Sequence, residues 1–162
     1  MKRSKNTAER GKFKQEIHSA LYKSVGIQEI IFGDDNPQTP KEKRDLFKKR
    51  VESHLFIDDT IQDTSTYIFY DVVFPRLSEN IKTCRVVFYI VCHRDNLDNY
   101  SKEGYYGNRA DILSQMVEDC LINDEEVALS FGIGRLTLDS VDVYNSKRHY
   151  GCVMTFSVPN FR

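Results

Sequence analysis

The segment RVVFYIVCHRDNLDN, residues 85–99, sets a thiol, an imidazole, a guanidinium and a carboxylate side by side at the end of an apolar run. Three chemistries could use such residues. A kinase-type catalytic loop reads His-Arg-Asp and needs an asparagine five residues after the aspartate to hold a metal ion, but that position is Tyr100. No glycine-rich phosphate loop and no Asp-Phe-Gly accompany it. A thiol nucleophile with its base would pair Cys92 with His93. Adjacent residues of a strand point to opposite faces, so this imidazole cannot serve this thiol. His18, His54 and His149 fall in a helix, a helix end and a turn, with nothing in the sequence to draw them together. The remaining reading is a core cysteine followed by a histidine where a strand leaves its sheet.

Metal chemistry fares no better. Asp34-Asp35 and Asp58-Asp59 lack the alternating spacing of a calcium loop, and the histidines show neither HxH nor HxxxH spacing. A restriction-type nuclease needs an aspartate and then Glu-x-Lys on the following strand. Asp71 could be the first, but Arg85 and Tyr89 stand where the others belong. Glu79 and Lys82 have the wrong period for one strand face. The expectation is a protein that is not an enzyme, with no catalytic, metal or cofactor-binding residues and no cofactor.

The charge distribution is more telling than its sum. The formal net charge is -1, yet residues 1–54 hold 13 Lys/Arg against 8 Asp/Glu, and the remainder holds 10 against 16. A basic first third joined to an acidic remainder can face a polyanion or the opposite end of another copy. The longest apolar run, VVFYIVC, is seven residues, too short to cross a bilayer, so no membrane is expected as a partner. The N-terminus is basic without a signal peptide's apolar stretch. The chain is thus expected to work where it is made, with its four cysteines free. Cys84 and Cys92 would lie roughly 26 Å apart on one strand at about 3.3 Å per residue, beyond disulfide reach.

These residues need elements to position them. Residues 1–12 read as a basic flexible arm, and 13–162 as a single domain, with N-terminal helices over 13–57 and a sheet plus long helix over 66–162. Phe13, Ile17, Ala20, Leu21 and Val25 recur at helical spacing. DDNPQTP is a loop, and KEKRDLFKKRVESHLF predicts a second helix with Phe47, Val51 and Leu55 inward. DDTIQDTS breaks it. TYIFYDVVFP alternates as a strand ended by Pro75, and RLSENIK is short enough to make a hairpin with TCRVVFYIVCH. That second strand is apolar on both faces, as a central strand covered on both sides would be.

ADILSQMVEDCLIN predicts a helix with Leu113, Met116, Val117, Cys120 and Leu121 on one stripe and Asn108 as N-cap. After a loop ending in GIG, LTLDSVDVY changes phase, which predicts a bulge at Asp139-Ser140. CVMTFSV closes the sheet. The order helix-helix-strand-strand-helix-strand-strand predicts an α+β fold, a mixed or antiparallel sheet of about four strands with helices packed on it.

The run from Tyr67 to Arg162 resembles the tail terminator and related neck-ring proteins of long-tailed bacteriophages. The matching stretches are TYIFYDVVFP, CRVVFYIVCH, GNRADILSQMVEDCLI, GIGRLTLDSVDVY and GCVMTFSVPNF, in that order. The resemblance implies a structural virion protein of the phage neck and tail, assembled in the host bacterial cytoplasm. Such proteins form a homo-oligomeric ring, commonly a hexamer. It has the tail tube protein below and the head connector or completion protein above, with DNA passing through the bore without sequence-specific contact. Arg94, Tyr105, Tyr106 and Arg109, which bracket the loop between the central strand and the long helix, are the candidates for subunit contact. Within the same class stands a head-completion, connector or tail-tube-like protein. From another class stands a small phage nucleic-acid-binding protein or nuclease using the basic N-terminal third.

Overall fold

The computed structural model describes residues 5–55, 63–78, 82–125, 127 and 136–161. The hairpin tip with Glu79, most of the DDTIQDTS break and the GIG loop lie outside them. Helix α1 (Lys5–Lys23) is followed by α2 (Val25–Phe32), a short 3-10 turn and α3 (Pro40–Arg50). Then come β1 (Val51–Glu52), β2 (Thr66–Leu77), β3 (Lys82–His93), α4 (Arg109–Asn123), β4 (Thr137–Asn145) and β5 (His149–Phe161). The described strands form one five-stranded sheet in the order β1-β2-β3-β5-β4. β1 runs parallel to β2, and every other pairing is antiparallel. The α+β class and the central place of the doubly apolar strand agree with the sequence.

Local chemistry sets the element boundaries. Thr39 accepts from the Glu42 amide at 3.1 Å while Glu42 reaches back to the Thr39 amide, and Pro40 supplies a preset φ in the first turn. Lys48, Lys49 and Arg50 fill the last turn of α3, where the helix dipole favours cations. Asn108 and Asp111 form the same reciprocal cap on α4. The Ser24 hydroxyl accepts from the Ile27 amide at 3.3 Å and restarts the helix as α2. The new axis turns Val25 outward, 77% exposed, although its spacing put it in the stripe of Phe13, Ile17, Ala20 and Leu21, which are buried.

Three further expectations need correcting. α1 begins at Lys5, inside the stretch read as a flexible arm, because Glu9 pairs with Lys82 and Arg10 binds the edge of β2. Polar ties of that kind leave no apolar periodicity to read. The second helix stops at Arg50. Val51 faces the core from β1, paired with Ile68, so helical spacing and a strand pairing both bury it. Leu55 is largely exposed. β2 runs on to Leu77 past Pro75, because a register shift between Val73 and Arg76 takes the proline out of the ladder.

The four described helices pack on one side of the sheet. Ile68, Tyr70, Val72, Val86, Phe88, Ile90, Cys92, Met154, Phe156 and Val158 form one core with the helical apolar residues. Phe88 stands at its centre, stacked on Tyr70 with centroids 5.4 Å apart and edge-on to Phe156 at 5.6 Å. The opposite side of the sheet carries Phe69, Val87, Tyr89, Val91 and Val153. Phe69 and Val91 are buried yet lie outside the helix-covered core. Tyr67 stacks on Phe69 and Tyr89 meets Tyr144 edge-on, so this face covers itself in part with its own rings.

Gly151 lies opposite Val91 in the β3–β5 ladder, and a Cβ there would overlap the Ile90 carbonyl. Gly151→Ala is expected to lower stability by roughly 1–3 kcal/mol or more, because backbone blocks the methyl and must shift. A fall in the urea unfolding midpoint measures it; an unchanged midpoint would show that β5 approaches β3 less closely.

Candidate functional site

The Cys92-His93-Arg94-Asp95 run straddles the end of β3. Cys92 faces the helix side, fully buried, and burial pushes its thiol up to about 12. His93 points to the other face, its ring 5.4 Å from His149. Its Nδ1 accepts the Asp95 amide at 3.2 Å and so caps the 3-10 turn that follows. Asp95 Oδ2 also lies 3.6 Å from His93 Nδ1, but Cys92 on the opposite face takes no part in the pair.

The four candidates for subunit contact divide. Arg94 donates to the Ser146 carbonyl from Nε at 3.0 Å and from Nη2 at 2.9 Å, and also to Asn145 Oδ1. It staples the exit of β3 to the β4–β5 turn. Arg109 donates to the Asn96 carbonyl at 2.8 Å and to Asn99 Oδ1 at 3.0 Å, and lies 4.8 Å over the Tyr100 ring. Tyr105 packs against the core. Tyr106 is 80% exposed, while its amide and carbonyl are both bonded to the Gln115 side chain. Of the four, Tyr106 is the side chain held out to solvent on a fixed backbone.

Asp71, the first residue a nuclease would need, is spent structurally. Its Oδ1 lies 2.6 Å from Arg10 and 2.8 Å from Lys14, while Arg10 Nε donates to the Val72 carbonyl at 2.6 Å. This clasp holds α1 along β2 beyond the end of β1. Burial alone would raise the Asp71 pKa. The Lys14 hydrogen bond, the Val72 amide and the Lys14 and Arg10 charges outweigh it and hold the carboxyl below its ordinary range. Among the described residues no group of three His, Cys, Asp or Glu is placed to hold a metal ion, and no helix is long and apolar enough to cross a membrane.

Two surfaces stand out that the sequence did not mark. A cleft of about 810 Å³ opens between α1, α3 and β1, with Val51, Tyr70 and Tyr22 in its wall and Arg44, Lys48 and His54 around it. His18 also lines it, and burial, then the Lys48 charge, lower its pKa. At the far edge of the sheet, Val141 and Val143 are 56% and 68% exposed. They lie across from Met154 and Cys152, on the helix side, at an edge that no described helix covers. The phase change at Asp139-Ser140, seen as a register shift between Leu138 and Ser140, was the signal that this strand differs.

A family model described as YomW matches residues 15–158. The chain belongs to the YomW family. That family's name derives from a gene of a Bacillus SPbeta-like prophage, and the YomW chain is accordingly a phage-associated protein. No curated protein and no solved structure matches it. The matched range takes in the β4 edge and the cleft lining apart from Gly11 and Lys14, and begins after Arg10 and Lys14 of the Asp71 clasp.

Because the folded pKa of Asp71 lies below the unfolded one, this carboxylate adds stability above about pH 4 and loses it as pH falls through the folded value. Asp71→Asn is expected to cost about 1 kcal/mol at neutral pH, discounted for partial exposure. The gap to the parent protein should close below pH 4 or so in urea melts across pH; a gap that persists at pH 2 would contradict the clasp.

The raised thiol of Cys92 predicts slow alkylation by iodoacetamide at pH 8 in the native state and rapid alkylation in denaturant. Rapid native labelling of Cys92, followed by peptide mass spectrometry, would reopen a nucleophilic role.

Proposed function

We propose that the chain is a structural, non-enzymatic subunit of a homo-oligomeric ring at the neck of a long-tailed phage. In this reading it is a tail terminator that caps the tail tube and offers a surface to the head connector, with DNA passing through the bore. The observation that carries it is the edge strand β4, whose Val141 and Val143 stay more than half exposed while the apolar residues of β2 and β3 on the same face, from Ile68 to Val72 and Cys84 to Cys92, are buried. Exposed apolar side chains on an open strand edge are an aggregation liability unless assembly covers them. Membership of a phage-associated family supports the setting, and the order of strands and helix supports the tail-terminator assignment.

The subunit needs no cofactor in this role. A six-membered ring is what the likeness to neck-ring proteins implies. The rival reading, a nucleic-acid-binding protein or nuclease, draws on Arg44 and Lys48 beside the cleft. It asks for steeply salt-dependent DNA binding.

Negative-stain images of the purified protein, with its mass in solution, separate the two. Rings with a central hole are expected; a monomer that cleaves DNA or binds it tightly at moderate salt would overturn the reading. Tyr106→Ala should weaken assembly while changing subunit stability by under about 0.5 kcal/mol, as for an exposed side chain. Rings unchanged in that variant would remove Tyr106 from the interface.

A further inference from the structure

The lining of the α1–α3 cleft is unevenly charged. Lys14, His18, Arg44, Lys48 and His54 bring basic groups to it, against the single carboxylate of Glu52. Three of these six are already engaged. Lys14 Nζ lies 2.8 Å from Asp71 and donates to the Ser53 carbonyl at 2.7 Å. His54 Nε2 lies 3.3 Å from Glu52, which occupies the one negative group. Arg44, Lys48 and His18 are left. Arg44 and Lys48 are exposed, one turn apart on the same face of α3, and neither has an ion-pair partner among the described residues. Glu42 and Asp45 of the same helix do not line the cleft. His18 joins from α1, half-buried, its ring held edge-on to Phe47 with centroids 5.4 Å apart. Burial, then the Lys48 charge, hold its pKa below the ordinary range, so at neutral pH it stands as the neutral imidazole.

We infer that the cleft binds a small phosphate monoester, its dianionic phosphoryl group held by Arg44 and Lys48 of α3 and by the His18 imidazole of α1. Two cations without partners match a dianion, where a carboxylate would satisfy only one of them. The Arg44 fork fits two phosphate oxygens, and Lys48 adds a point charge on its flexible stem. The cavity of about 810 Å³ has the size of a small-molecule site, and the buried Val51 and Tyr70 close its floor. Its concave shape suits the terminal phosphate of a small ligand, whereas the backbone of a duplex lies along a run of cations on an outer surface. A bound dianion relieves the repulsion between Arg44 and Lys48 and offsets the Lys48 charge at His18. Binding is therefore coupled to proton uptake by His18. The site does not depend on how copies of the chain assemble.

Calorimetry and proton NMR on the full chain test it, with phenyl phosphate, inorganic phosphate and a short thymidine oligonucleotide as probes. The His18 C2 proton is assigned by its absence from the His18→Gln spectrum. Phenyl phosphate and inorganic phosphate, each at about 10 mM, are expected to bind and to move the His18 titration to higher pH. Arg44→Gln with Lys48→Gln should weaken phenyl phosphate by about tenfold or more, with the urea midpoint unchanged. Glu52→Gln removes the one lining carboxylate and should tighten it, an opposite change that loss of folding cannot produce. Absence of phenyl phosphate binding, or an affinity that neither variant alters, would overturn the site. So would an oligonucleotide that binds tightly and with steep salt dependence while phenyl phosphate does not, since that result assigns the cations to nucleic acid.

Discussion

The constraint on which the rest of the structure depends is the two-sided apolarity of β3. Its even-numbered residues, Val86, Phe88, Ile90 and Cys92, are completely buried under the helices. Burying a residue of that size stabilises a fold by roughly 1.5–3 kcal/mol, so the helix layer has one place to sit. The odd-numbered residues, Val87, Tyr89 and Val91, receive no helix among the described residues. Aromatic pairing with Tyr67, Phe69 and Tyr144 shields them in part. The sheet is therefore anchored from one side and closed on itself at the other. Its edges are left to be managed separately.

The two edges are managed by different means. Along β2, where β1 stops, the carbonyl of Val72 and the carboxylate of Asp71 are taken by Arg10 and Lys14 of α1. Basic side chains lying across a strand edge discourage pairing there. At β4 no described helix lies over the valines, and carboxylates alternate with exposed apolar groups. One edge is shut internally and the other is open. That asymmetry suits a subunit that meets its copies head to tail better than one that works alone.

Much of the fold was legible because its signals are local. Period-two alternation with a proline, the Asn108 cap and the phase change at Asp139-Ser140 each left a mark within a few residues. Val51 was misplaced because positions four apart on a helix and the first position of a strand both ask for an apolar residue. The start of α1 was missed because long-range polar ties between Glu9 and Lys82, and between Arg10 and Asp71, leave no periodic trace. The same limit applies to the site. The loop bracketed by Arg94 and Arg109 was visible as unusual, but that both arginines would be consumed in holding carbonyls of their own chain depended on a turn some fifty residues away for Arg94. The cleft is assembled from three segments distant in sequence, and no short window contains it.

The claim that this molecule is a piece of a larger object is tested most directly by amide hydrogen exchange, measured on dilute and concentrated protein. The account predicts that β4 exchanges quickly when dilute. On concentration it becomes protected, while β3 stays protected throughout. Exchange across β4 that is independent of concentration, in either the fast or the slow regime, would contradict it.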